Sequence, residues 1–226
     1  MKNYYRASRA AAFSLIEMLI VLTVLGVLFA VAAPNLFTLM QASSLSSEGS
    51  LVRNKLTQAQ QLALSRNSDV EVRFFKMRDE GAAELDEEYR GFQFYQYDSA
   101  GKLSPVSRFF RIRPPVVISS ELSTLLKESS NQDEQGKDYG FISPNSGRDT
   151  VPLGDGFEEL DYVAFRFRPD GSTDLPGRSG TMDSVEGGDT WYLTLVQGAG
   201  DVRELPPNYY VVQLDPFNGR VGVYRP

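Results

Sequence analysis

Neither cysteine nor histidine occurs anywhere in the sequence. Without cysteine there is no disulfide framework and no thiolate metal site. Without histidine the commonest general base and the commonest zinc ligand are both missing. A serine–histidine triad and a His-based zinc centre are thereby excluded, while carboxylate chemistry and calcium survive. Asp133, Asp155, Glu158, Asp183 and Asp189 could supply calcium oxygens, but no spacing matches an EF-hand loop. No metal and no cofactor is expected. The adjacent acids Glu87-Glu88 and Glu158-Glu159 lie in polar segments and read as solvated loop charges rather than a catalytic pair, so no enzyme is expected.

Charge is itself nearly absent from one stretch. Residues 13–40 are apolar almost throughout, with Glu17 as their single charge. As a helix the run would be roughly 42 Å long, and about 20 residues suffice to cross a bilayer core. Before it, residues 1–12 hold Lys2, Arg6 and Arg9 and no acid, a charge of +3, so with −6 overall the rest of the chain carries −9. An acidic body repels phosphates and argues against nucleic acid as its partner. A basic tip held in the cytoplasm while the remainder crosses the inner membrane fits the positive-inside rule.

What is present sorts into a leader (1–12), a membrane or assembly helix (13–40), an amphipathic continuation (41–66) and a β-rich body (67–226). Leu45, Val52, Leu56, Ala59 and Ala63 mark one helix face, with Glu48, Arg53, Lys55, Gln58 and Gln60 on the solvated side and Asn67-Ser68-Asp69 as the stop. Gly26 and Pro34 predict softness or a kink. From Val70 the period becomes two: Val70–Phe74, Phe92–Tyr95, Val163–Phe167, Trp191–Val196, Tyr209–Leu214 and Arg220–Tyr224 read as strands. Pro169-Asp170-Gly171 is turn chemistry, and Asn218-Gly219 is the strongest short hairpin signal. A short helix is expected at 121–128, and long polar loops at 129–159 and 172–189. Tyr4-Tyr5 belong to the leader and Phe92, Phe94, Tyr95 and Tyr97 to the core; a nucleic-acid stacking platform would need interleaved basic residues. The expected fold class is α+β, a long N-terminal helix packed on a mostly antiparallel sheet.

The informative segment is Ala12-Phe13-Ser14-Leu15-Ile16-Glu17 opening the apolar helix. A carboxylate at the bilayer centre costs about 2.5–3.5 kcal/mol, and the span offers Glu17 no partner, so a charge from another chain is the natural candidate. The segment resembles the N-terminal cleavage and methylation motif of type IV pilins and type II secretion pseudopilins. That resemblance implies cleavage by a prepilin peptidase between Ala12 and Phe13, N-methylation of Phe13, and pairing of Glu17 with a neighbouring subunit's N-terminus. The family prefers Gly where this chain has Ala12. Residues 56–63 with Arg66, Asn67 and Val70, together with 165–171 and 218–221, resemble H-type minor pseudopilins. Residues 70–74 and 162–174 resemble the protein D family of the Verru_Chthon cassette. A pilin-like fold, other pilin-like subunits as partners and a life in the inner membrane and then in a fibre are what the resemblance implies.

Two plainer readings compete. Ala30-Val31-Ala32 could end an ordinary secretory signal peptide, or the run could be a simple signal anchor; both leave Glu17 unexplained. Two function classes follow: a structural, minor fibre subunit, or a membrane-tethered binding or adhesin domain using a pilin-type anchor. A concave aromatic–polar pocket facing away from the helix would favour the second.

Overall fold

The computed structural model describes residues 14–78, 87–98, 101–126, 145–154, 156–175, 191–198 and 205–226; of residues 31–41, 87 and 145 it describes the backbone alone. The chain divides into two units, residues 1–40 and 41–226. One helix, α1 (Leu15–Arg66), is continuous through Gly26 and Pro34 and contributes to both.

In the first unit the described side chains of α1 are exposed on every side, from Leu15 at 85% to Phe29 at 70%. Among the described residues no helix is long and apolar enough to cross a membrane. The expected span, 13–40, includes side chains from 31 onward that lie outside the description.

In the second unit α1 lies on an antiparallel sheet, so the fold is α+β. The strands are β1 (Val70–Arg78), β2 (Glu87–Tyr97), β3 (Leu103–Pro105), β4 (Phe110–Arg111), β5 (Val116–Ile118), β6 (Asn145–Leu153), β7 (Gly156–Phe167), β8 (Trp191–Gln197), β9 (Tyr210–Leu214) and β10 (Val221–Tyr224). Their order is β10-β9-β8-β5-β2-β1-β7-β6, with β3 and β4 also paired to β2. Leu45, Val52, Leu56, Ala59 and Ala63 are all buried, against Val72, Phe74, Phe92, Phe165, Leu193 and Val212 among others. Burying each leucine or valine of this face contributes about 1.5–3 kcal/mol and the two alanines less, which is how a period of 3.6 becomes a docked helix. The helix stops where expected: Asn67 adopts φ 49° and the Ser68 N–H reaches back to the Ala63 carbonyl at 3.3 Å, a Schellman closure that asparagine tolerates.

Several expectations need correction. Glu48 is not on the solvated side but 5% exposed. The helix expected at 121–128 is a 3₁₀ turn, Thr124–Leu126, within the described residues. Here the chain runs beside β8: Tyr192 N–H donates to Thr124 Oγ1, Thr194 N–H to Ser123 Oγ, and Thr194 Oγ1 to the Leu122 carbonyl. Those bonds to a strand replace helical ones. The loop expected at 129–159 gives way to β6 and the outer half of β7. This edge hairpin covers only one face, with Val151, Leu153 and Leu160 against Phe75 and Met77, and its apolar residues are too sparse to mark a strand. Glu158 and Glu159 are solvated, but on a strand; Glu88 is buried on β2 and accepts the Ser120 N–H at 3.0 Å. Asn218-Gly219 does close the β9–β10 hairpin, through a longer turn. The Asp215 N–H donates to the Arg220 carbonyl, the Gly219 N–H to the Asp215 carbonyl, and only Gly219 of the pair takes positive φ.

Candidate functional site

The first turn of α1 explains how Glu17 is presented. Ser14 sits at the helix start, where its carbonyl accepts the Glu17 N–H at 3.1 Å and its Oγ lies 3.4 Å from the same nitrogen. Ser at the cap followed three residues later by Glu is the pattern of a capping box, and a carboxylate in the first turn is favoured by the helix dipole. Glu17 is exposed amid Leu15, Ile16, Met18 and Leu19, themselves 51–85% exposed. The first basic residue beyond Glu17 is Arg53, about 54 Å further along a helix of this rise. Nothing within residues 14–30 can neutralise that carboxylate. A Cβ on Gly26 would have no atom within 4 Å, so this glycine's surface is also unoccupied. Ala12 and Phe13 lie outside the described residues, as does the side chain of Pro34.

The family described as the prokaryotic N-terminal methylation motif matches residues 7–33, which straddle Ala12-Phe13 and contain Glu17. Two curated relatives from Streptococcus pneumoniae, the competence protein ComGC of serotype 4 strain TIGR4 and that of strain R6, are each 28% identical over 101 residues. The alignment covers 45% of this chain and 91% of theirs. This is a likeness: the N-terminal segment carries that methylation motif, and nearly half of the chain is similar to ComGC. No solved structure matches it.

The body of this pilin-like chain holds a second polar constellation that the sequence reading missed. On the sheet face away from α1, Glu71 of β1 is directly opposite Arg166 of β7. Its carboxylate accepts from Arg73 Nε at 2.7 Å and Arg166 Nε at 3.0 Å, while Arg73 Nη1 reaches Asp149 of β6 at 2.7 Å. The Arg73 guanidinium is sandwiched 4.2 Å from the rings of both Tyr95 and Tyr162. Burial pulls the Arg73 pKa down most strongly, yet the hydrogen bond and charge of Glu71 more than offset it and the net shift is upward. Burial likewise raises the hydroxyl pKa of Tyr95 and of Tyr162. Glu71 is 1% and Arg73 9% exposed, so this aromatic–polar cluster is filled by its own side chains and is not an open cup. The alternation of Glu71 and Arg73 with Val70, Val72 and Phe74 signalled a charged back face; its partner on β7 depended on register.

Most of the other acids considered in sequence fall outside the described part of the chain. Asp133, Asp155, Asp183 and Asp189 lie outside the described residues, and among the described residues no group of three or more acids could hold a metal ion. Glu48 is a different case: its Oε1 lies 3.9 Å from Arg113 Nε, and its buried Oε2 has no hydrogen-bond partner.

Proposed function

We propose that the chain is a structural, minor subunit of a type IV pilus-like or type II secretion pseudopilus-like fibre. A prepilin peptidase releases it between Ala12 and Phe13 and methylates Phe13. The subunit resides as a single span in the inner membrane, leader inside and body in the periplasm, until it joins other pilin-like subunits. Its role is architectural, without catalysis. The observation that carries this reading is the bare surface of residues 15–29 with one unneutralised carboxylate, Glu17. Such a surface must be buried by lipid or by other helices, and within a helix bundle the carboxylate requires a cation from a neighbour. The filled state of the Arg73 cluster favours this role over a tethered binding domain.

Glu17→Ala tests it. Removing one partner of a buried pair costs about 3–5 kcal/mol, which lowers incorporation roughly a hundredfold or more. The variant should still enter the membrane and still begin at methylated Phe13 by N-terminal mass analysis, yet fail to co-purify with other pilin-like subunits. Wild-type co-purification would refute the pairing role, and a mature N-terminus at Ala33 would identify a signal peptide instead.

A further inference from the structure

The corner of the body next to the start of its helix carries exposed aromatic and cationic groups. Strand directions define this corner. Tyr210, at the head of β9, packs its ring on Gly49 of α1. Arg225, just past the end of β10, donates to Ser46 Oγ and, at 3.4 Å, to the Ala42 carbonyl. Tyr224 beside it is 56% exposed, with its ring 6.1 Å from that of Tyr209. Leu205, on the approach to β9, is 49% exposed. At the neighbouring strand ends, the Gly198 N–H donates to the Pro115 carbonyl, and the Arg113 side chain is 87% exposed. Residues 205–209 and 223–225 include no acid, and Glu48, which faces Arg113 at 3.9 Å, is only 5% exposed.

Chain length fixes what this corner borders. Ala42 lies two residues past Met40, the last residue of the apolar run, or about 3 Å along a helix. A group hydrogen-bonded to Ala42 therefore sits at the boundary of whatever medium covers that run. If the medium is a bilayer, the boundary is the headgroup layer, where tyrosine rings partition and arginine reaches phosphate with its stem in the apolar zone.

We propose that this corner is a lipid-contacting surface: Tyr209, Tyr224 and Leu205 rest in the headgroup layer, with Arg225 and Arg113 on lipid phosphates, while the subunit waits in the membrane. The inference rests on the membrane residence proposed above. It gives the body a second hold on the bilayer beside the apolar helix and restricts its orientation before assembly.

The opposite end of the body supplies an internal control. Phe217 is 73% exposed, and its neighbour Asn218 accepts from Gln60, about 27 Å up the helix from Ala42. Because the chain has no cysteine, Tyr224→Cys and Phe217→Cys each place a single environment-sensitive fluorophore. The full-length chain is reconstituted into phosphatidylcholine–phosphatidylglycerol vesicles carrying headgroup nitroxides. The label at 224 should shift to the blue and be quenched several-fold more strongly than the label at 217. Equal quenching at the two sites, or none at 224 while the chain co-floats with the vesicles, would overturn the lipid contact and leave membrane residence standing. Failure to co-float would remove membrane residence and the proposal with it.

Discussion

Replacing Glu71 by alanine isolates the ionic network on the back of the sheet. In the native body two carboxylates, Glu71 and Asp149, balance two guanidiniums, Arg73 and Arg166. The substitution leaves Arg73 with Asp149 alone, clamped between the rings of Tyr95 and Tyr162 and unable to swing into water. Arg166 retains an escape, since 27% of its side chain is exposed. Breaking a buried pair from one side costs about 3–5 kcal/mol; with one of the two stranded cations able to rehydrate, the lower figure applies, about 3 kcal/mol. Trp191, the single tryptophan, is 4% exposed in the core formed with α1, so its fluorescence reports unfolding of the body in a urea titration of the detergent-solubilised chain. With a slope of about 2 kcal/mol per molar urea, the midpoint should fall by about 1.5 M. Glu71→Gln, which keeps an acceptor and the volume, should lose roughly half as much. A midpoint within about 0.3 M of wild type for Glu71→Ala would show that the guanidiniums need no counter-charge there, and the account of the cluster would fail.

Two further outcomes follow from the turns that pack on α1. Gln60 Nε2 donates to the Gly171 carbonyl at 3.0 Å and the Asn218 carbonyl at 2.7 Å, tying two turns to the helix. Gln60→Ala should cost about 1–3 kcal/mol, at about 2–4 °C of melting temperature per kcal/mol for a body of this size; an unchanged melting temperature would mean water replaces the amide without loss. Asp174 has its carboxyl pKa raised, chiefly by burial, even though it accepts the Arg166 N–H at 2.7 Å. A raised folded-state pKa means the native state holds its proton longer than the unfolded chain, so this contribution is full below about pH 4 and is lost as pH rises through the raised value. Asp174→Asn should therefore gain stability over wild type as pH climbs from about 4 toward 7; a pH-independent difference between the two would refute the burial effect.

Legibility of this fold followed burial. Strands with one face on the helix, such as β1, alternate, and their positions were readable. The β6–β7 hairpin was not, because residues 156–159 are exposed throughout and β6 is an edge. Its buried face rests on Val151 and Leu160, too few apolar positions to impose a legible period of two, so Pro152, Gly154 and the acids read as loop. Segment 121–126 failed for the opposite reason. Its leucines are spaced as in a helix, but Ser123 and Thr124 offer β8 hydroxyl acceptors, and long-range bonds override a weak local pattern. Glu48 defeated periodicity too: residue type placed it in water, whereas its position three after Leu45 and four before Val52 placed it on the buried face.

The two halves of α1 show why one functional signal survived without any structure. From residue 41 onward, polar and apolar residues are segregated, and the chain's own sheet covers the apolar side. From Leu15 to Phe29 there is no polar side to segregate, and among the described residues those side chains are exposed on every side. A helix half that is apolar all round is a statement about its surroundings rather than about its own fold. In purely apolar surroundings a lone carboxylate is a cost with no local return. Glu17 is reconciled with its helix only if a positive charge arrives from elsewhere. Cleavage before Phe13 would create such a charge, an α-amine at the head of every mature subunit. On the proposed function, a neighbouring copy or homologue offset along the helix axis would bring its amine to Glu17. On that same proposal, processing and pairing are two parts of one electrostatic requirement, and a subunit that was cleaved but could not pair would be held in the membrane rather than in the fibre.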